Sequence, residues 1–178
     1  MAQHPTTSRE PIVIHSVFSN INDESNTADF TDIIVSQGDT RLTAERAHAK
    51  GVGFTDSQWT FAGRVVITLE PRGSLWADQA ILEFRDGELA QVTAIGSPAH
   101  FEQRRTESGG AGHGYADEIT YDLKQDIVRL SGHAELFDGH GAQISAPVFF
   151  YHVQDDRLQG DSQTERRPSG QRGNPQRG

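Results

Sequence analysis

The residues best equipped for chemistry in this 178-residue chain are its eight histidines and several adjacent carboxylates; it has no cysteine. Without cysteine, thiol nucleophiles, disulfides and Cys-based zinc sites are excluded together. His113, His133 and His140 with Glu118 and Glu135 are the donor types that a cupin-like jellyroll enzyme converges on a metal. Against this, no His-x-His pair is present, and histidines scattered through turns are ordinarily solvated. Asp117-Glu118 and Asp155-Asp156 supply the paired carboxylates that acid–base catalysis uses. Neighbours on a strand, however, point to opposite faces, and such pairs in turns are usually solvated charge. There is no Gly-x-Ser-x-Gly elbow, no Gly-x-x-x-x-Gly-Lys-Ser/Thr loop and no His-Glu-x-x-His. The expectation is a protein with no catalytic residue, no metal site and no cofactor, with a metal-dependent jellyroll enzyme as the alternative.

The elements that position these residues read as strands. Phe61, Gly63, Val65, Ile67 and Leu69 alternate with Arg64, Thr68 and Glu70, a period of two that a helix would scatter. Turn signals recur at Gln37-Gly38-Asp39, Pro71-Arg72-Gly73, Arg85-Asp86-Gly87, Gly96-Ser97-Pro98, Asp138-Gly139-His140-Gly141 and Asp155-Asp156, and Arg104 to Gly114 reads as an exposed loop. Strands spaced in this way predict a sandwich, jellyroll or barrel. An ungapped internal repeat sets the segment from Gly63 against that from Gly132, so that Leu75 falls on Ile144, Ala77 on Ala146, Ala80 on Phe149, Leu82 on Tyr151, Phe84 on Val153 and Leu89 on Leu158. Weaker copies around Ala44 and Ala116 complete four units.

Residues 1–10 are polar, residues 11–161 form the expected folded unit, and residues 162–178 are a Gly/Pro/Arg/Gln tract that cannot bury a core. That tract carries +3; with -9 for the whole chain, residues 1–161 carry -12. Such a balance argues against a nucleic-acid binder, which needs a basic face. Of the 16 basic residues only Lys50 and Lys124 are lysine, a bias that an Arg-rich proteome explains as well as any phosphate partner. No apolar run reaches the ~18 residues of a membrane span, so the chain is expected not to cross a membrane by itself. The segment from Met1 to Glu10 lacks the basic-then-apolar pattern of a secretory signal, which leaves a cytoplasmic protein or one whose signal lies outside this chain.

Three segments, taken in order, resemble the OstA-like or LptA lipopolysaccharide-transport family over about residues 12–161. They are Phe61-Ala-Gly63-Arg-Val65-Val-Ile67 with Leu75-Trp-Ala77-Asp78-Gln-Ala80; Gly96-Ser-Pro98-Ala99-His-Phe101; and Ala116-Asp-Glu-Ile119-Thr-Tyr121 with Ile127-Val-Arg-Leu130-Ser-Gly132-His-Ala134. The first repeat is eroded, with Asp29-Phe30-Thr31-Asp32 where a glycine is expected near Thr31.

The resemblance implies an all-β fold, a twisted open β-jellyroll of repeated antiparallel strands. It also implies a periplasmic protein that takes lipid A acyl chains of lipopolysaccharide into a groove. Implied partners are LptC-like and LptD-like jellyroll domains and further copies in a head-to-tail homo-oligomer; an LptC-like membrane-side component is the alternative within the family. The expected groove residues are Val65, Ile67, Leu69, Trp76, Ala80, Leu82, Phe84, Phe101, Tyr121, Leu136, Phe149 and Tyr151, with Val153 on the same face. Pro147 cannot donate a ladder hydrogen bond, which places the strand Ile144 to Tyr151 near an edge or at a bulge. That edge is expected to pair with the strand from Pro11 to Val17 of the next molecule.

Overall fold

Alternating burial runs through the central segments that the sequence marks as strands, and the computed structural model turns the strands into a single antiparallel meander. It describes residues 10–51, 55–104, 112–152 and 157–160. The strands are β1 (Ile12–Asn22), β2 (Thr27–Gln37), β3 (Thr40–Lys50), β4 (Asp56–Leu69), β5 (Gly73–Arg85), β6 (Glu88–Gln103), β7 (His113–Asp122), β8 (Ile127–Phe137), β9 (Gln143–His152) and β10 (Arg157–Gly160). Each pairs only with its sequence neighbours, β1 and β10 do not meet, and no helix occurs among the described residues. The fold is all-β and open. Val153 and Asp155-Asp156 lie outside the described residues, as do both ends of the chain.

Two local expectations change. His113 and Gly114 belong to β7, so the loop after Arg104 is shorter than its polar composition suggests. Gly96-Ser97-Pro98 is not a turn between strands but an irregularity inside the 16-residue β6.

That irregularity is one of a series. In β4–β5 the register jumps from Ala62 to Val65 opposite Gln79 to Ala77; in β6–β7 from Ile95 to Ala99 opposite Glu118 to Ala116; in β8–β9 from Ser131 to Ala134 opposite Val148 to Ala146. The even strands β4, β6 and β8 thus carry extra residues, which bend a strand and raise its twist. In β4 and β8, and in the eroded first repeat of β2, the backbone at the bend is left-handed: Gly63 has φ +87 and Arg64 +47, Gly132 +82 and His133 +49, and Asp32 +51, whereas β6 bends at Gly96-Ser97-Pro98 without a left-handed residue. The facing residues on the odd strands are the four repeated alanines, Ala44, Ala77, Ala116 and Ala146, each followed by Glu45, Asp78, Asp117 or Pro147. The repeat is therefore a record of one bend line crossing the sheet from β2 to β9.

Along this line the strands from β2 to β9 bend, and the sheet becomes two facing walls. Gln103 at the end of β6 donates from Nε2 to Tyr151 Oη of β9 at 2.8 Å. Val92, on the same strand as Gln103, shares Tyr151's position along the sheet through Tyr121 and Val128. In a flat sheet Gln103 and Tyr151 would lie more than about 30 Å apart along the strand direction at ~3.3 Å per residue. Only a fold at the bend brings them together. Small residues suit the place where the walls converge: Ala99, Ala116 and Ala134 beside the bend are buried to 1% or less.

Glycine is required at the bend for two separate reasons. Its φ is one that L residues rarely adopt, and a Cβ on Gly63 would lie 2.4 Å from Glu45 Oε1 and 2.8 Å from Glu45 Cβ. A Cβ on Gly132 would lie 2.6 Å from Asp117 Oδ2. The acid closing on each glycine is paired with the next residue: Glu45 Oε2 with Arg64 Nε at 3.5 Å, and Asp117 Oδ2 with His133 Nδ1 at 2.8 Å. Gly63→Ala is expected to cost about 1–3 kcal/mol in urea unfolding, against less than about 0.5 kcal/mol for Gln58→Ala on the exposed face of the same strand. Equal losses at the two sites would remove the bend from its central place.

The Asp117–His133 pair also predicts a pH dependence. The hydrogen bond to Asp117, reinforced by its charge, raises the His133 pKa above the usual value of about 6.5. A group raised in the folded state stabilises it fully below the unfolded pKa, and that contribution is lost as pH rises through the folded pKa. His133 is fully exposed, so the effect on stability is small. An NMR titration should place its midpoint above that of free histidine, and Asp117→Asn should bring it down; an unmoved midpoint would contradict the pairing.

Candidate functional site

Three apolar stripes cross the inner face at right angles to the strands; two can be followed through the register from β1 to the far edge and the third from β2 to β9. On one wall Ile14, Val35, Leu42, Ile67, Leu75, Phe101, Gly114, Leu136 and Ile144 are successive cross-strand partners from β1 to β9. On the other wall Ile21, Ala28, Ala49, Trp59, Leu82, Val92, Tyr121, Val128, Tyr151 and Leu158 run from β1 to β10. Nearer the bend on that wall lie Phe30, Ala47, Phe61, Ala80, Ala94, Ile119, Leu130 and Phe149. Phe30, Trp59 and Phe61 stack on one another at 5.3 and 6.1 Å. Mid-sheet the stripes are buried, but at the edges inward-facing apolar residues come into water: Ile21 is 56% exposed on β1 and Ile144 45% on β9. The apolar interior therefore has two open ends.

A cavity of about 520 Å³ separates the walls at their free margin. Leu69, Leu75 and Phe101 line one side of it and Ile119, Tyr121, Val128 and Tyr151 the other, with Arg72, Gln103 and Arg104 at its polar border. Arg72, in the β4–β5 turn, reaches Asp126 in the β7–β8 turn, Nη2 to Oδ2 at 3.2 Å, and sits 5.7 Å over the Tyr121 ring. Asp126 is 4% exposed and also accepts a hydrogen bond from Tyr121 Oη. Burial, with the Asp126 hydrogen bond second, raises the Tyr121 pKa far above the ordinary phenol range, so the hydroxyl stays protonated and donates.

Of the expected groove residues, Val65, Ile67, Leu69, Ala80, Leu82, Phe84, Tyr121 and Phe149 are buried on the inner face. Phe101 and Leu136 pack against that core, and Tyr151 borders the cavity. Trp76 is on the opposite face. Its cross-strand partners are Val66 and His100, whereas Leu75 and Ala77 face inward. The cause is the bend. From Ala77 to Ala80 the inward series in β5 shifts by one residue, so alternation counted back from Phe84 lands on the wrong face. The same offset leaves Leu75 outside the expected groove residues; Trp59, Phe61 and Ile119 are further inward positions outside that set, although the alternation of β4 carries two of them and already places Phe61 on the face of Val65, Ile67 and Leu69.

Trp76 instead begins a row of rings on the outer face: Trp76, His100 and Tyr115 stack at 5.1 and 4.6 Å, and His113 stacks on Phe137 at 4.5 Å. Burial lowers the His100 pKa and favours its neutral form. The candidate metal ligands are dispersed: His113 lies in this row, His133 pairs with Asp117 at the bend, and His140 lies in the β8–β9 turn, where its backbone N–H donates to Asp138 Oδ1 at 2.7 Å. Among the described residues no group of three or more His, Cys, Asp or Glu is placed to hold a metal ion.

The apolar track also has unpaired edges. β1 is an edge over its whole length and displays Val17 at 79% and Phe18 at 61% exposure. At the other edge β10 covers only Phe149 to His152, so the half of β9 containing Pro147 has no further partner among the described residues.

Comparison with known proteins joins these features to a family. No curated protein matches the chain. Among solved structures it is similar to LptH, the LptA-homologous periplasmic component of the lipopolysaccharide transport device of Pseudomonas aeruginosa, at 19% identity, over 92% of this chain and 90% of that one, with a TM-score of 0.45. The model of the LptA/(LptD N-terminal domain) LPS transport proteins matches residues 49–157, more than half of the sequence, from the end of β3 to the start of β10, and the chain belongs to that family.

Proposed function

We propose that the chain carries lipopolysaccharide through the periplasm as a bridge element, holding lipid A acyl chains between its two walls while the sugars stay in water. The observation that supports this reading most is the apolar interior continued from β1 to β10 and exposed at both ends by Ile21 and Ile144. A sealed sandwich would bury those side chains. Each methylene moved from water to such an interior contributes about 0.8 kcal/mol, so an acyl chain is held without covalent chemistry. What the interior offers is selective solvation.

The same reading gives the edges a role. An open edge strand is a template for another strand, and its apolar side chains favour a covered state. β1 of one molecule and the half-uncovered β9 of another would continue the sheet and join the tracks end to end. Partners of the same architecture, further copies or LptC-like and LptD-like jellyroll domains, fit these edges.

A photo-crosslinking residue at Leu82, on the inner stripe, should be labelled by lipopolysaccharide, and one at Trp76, on the outer face, should not. Labelling at Trp76 alone, in folded protein, would overturn the reading. For assembly, Phe18→Lys on the exposed edge should leave the β-sheet circular dichroism unchanged and weaken concentration-dependent association in sedimentation at least tenfold. Unchanged association would move the junction away from β1.

A further inference from the structure

The cavity between the walls is crossed by two polar ties, and neither follows from the need for an apolar track. One is Gln103 Nε2 to Tyr151 Oη at 2.8 Å, from the end of β6 to the end of β9. The other joins the β4–β5 turn to the β7–β8 turn through Arg72, Asp126 and Tyr121. Both span the free margin, where the strand ends of one wall stand over those of the other, and Gln103, Tyr151, Arg72 and Tyr121 all line the cavity. Backbone bonds hold the first wall's side in place: Arg104 N–H donates to Arg72 O at 3.0 Å and Gln103 N–H to Gly112 O at 2.8 Å. The moving parts are therefore side chains and the angle at the bend.

With both ties made, the cavity beside them measures about 520 Å³. That is the size of a site for a single small ligand, about 300–1,000 Å³, and it suits one hydrocarbon chain rather than the several chains of one lipid A. We infer that the two ties form a gate: closed, the cavity admits one chain, and an amphiphile with several chains enters only when Gln103 parts from Tyr151 and Arg72 parts from Asp126. The inference rests on the lipid-carrying reading and adds a selection step to it. The chemistry of the ties suits the task. Arg72 is 44% exposed in its side chain and finds water when it swings out. Tyr151 keeps its ring on the cavity wall whether or not its hydroxyl is bonded. Asp126 retains the Tyr121 hydroxyl when Arg72 leaves, so the buried carboxylate is never without a donor.

The test uses the whole chain with two probes, cis-parinaric acid as a single-chain ligand and fluorescently labelled lipopolysaccharide as a several-chain ligand. Tyr151→Phe removes one tie and leaves the ring; Gln103→Leu removes the same tie from the other side and guards against an effect peculiar to Tyr151. Loss of one net hydrogen bond shifts an opening equilibrium by about two- to tenfold. Both variants should load lipopolysaccharide about two- to tenfold faster in stopped flow, with the affinity for cis-parinaric acid unchanged within about twofold. The absence of cysteine makes a second readout clean. Spin labels at Asp39→Cys, beside the β4–β5 turn, and at Lys124→Cys, in the β7–β8 turn, should move apart on adding lipopolysaccharide and stay in place with cis-parinaric acid. Equal loading rates in folded variants with an unchanged label distance would overturn the gate while leaving the carrier reading intact, and so would equal acceleration of both probes. If the unaltered protein binds neither probe, the carrier reading falls and the gate with it.

Discussion

Everything else in this molecule depends on a single bend line that crosses its sheet and is left-handed in β2, β4 and β8. Gly63-Arg64 and Gly132-His133, with Asp32 in the first repeat, take φ values between +47 and +87 in the middle of long strands. A flat sheet of ten strands would present one apolar face to water along its whole width, with nothing to cover it. Bent at that line, the sheet covers itself. The neighbouring strands supply alanine to let the walls approach, and an acid that closes over the glycine and pairs with the side chain beyond it. Local strain of about 1–3 kcal/mol at such positions persists only when surrounding packing over-determines it, and here the packing is the whole inner face.

A fold made in this way differs from a sandwich of two separate sheets. Its walls are joined along one side by the strands that cross the bend, β2 to β9, and are tied along the other by side chains. Its interior is a track perpendicular to the strands, and the track ends where the sheet ends. An interior that is apolar throughout, unsealed at two ends and adjustable along one side is suited to holding flexible hydrocarbon.

Much of this could be read in the chain before its structure was known, and what could not has a common cause. β4 was legible because its bend keeps parity, and Phe61, Val65, Ile67 and Leu69 all face inward as strict alternation requires. β5 was not, because one unpaired residue at Asp78 shifts the series and turns Trp76 outward. Gly96-Ser97-Pro98 has the composition of a turn and is instead the bend of the longest strand. The repeated alanines were visible as a period; that they mark a fold line depends on backbone angles that composition does not encode. The margin ties were illegible for another reason. Arg72 and Asp126 are 54 residues apart, each in a segment whose sequence says only that the chain reverses.

The account's central claim is that acyl chains occupy the inner face and not the outer one, and the two tryptophans of the chain are placed to decide it. Trp59 is 1% exposed in the inner stripe, whereas Trp76 lies in the outer row of rings. The measurement is fluorescence quenching by lipid A bearing bromine on an acyl chain, in the single-tryptophan variants Trp76→Phe and Trp59→Phe. The account predicts strong quenching when Trp59 alone remains and little when Trp76 alone remains. Quenching of Trp76 with Trp59 unaffected would contradict it.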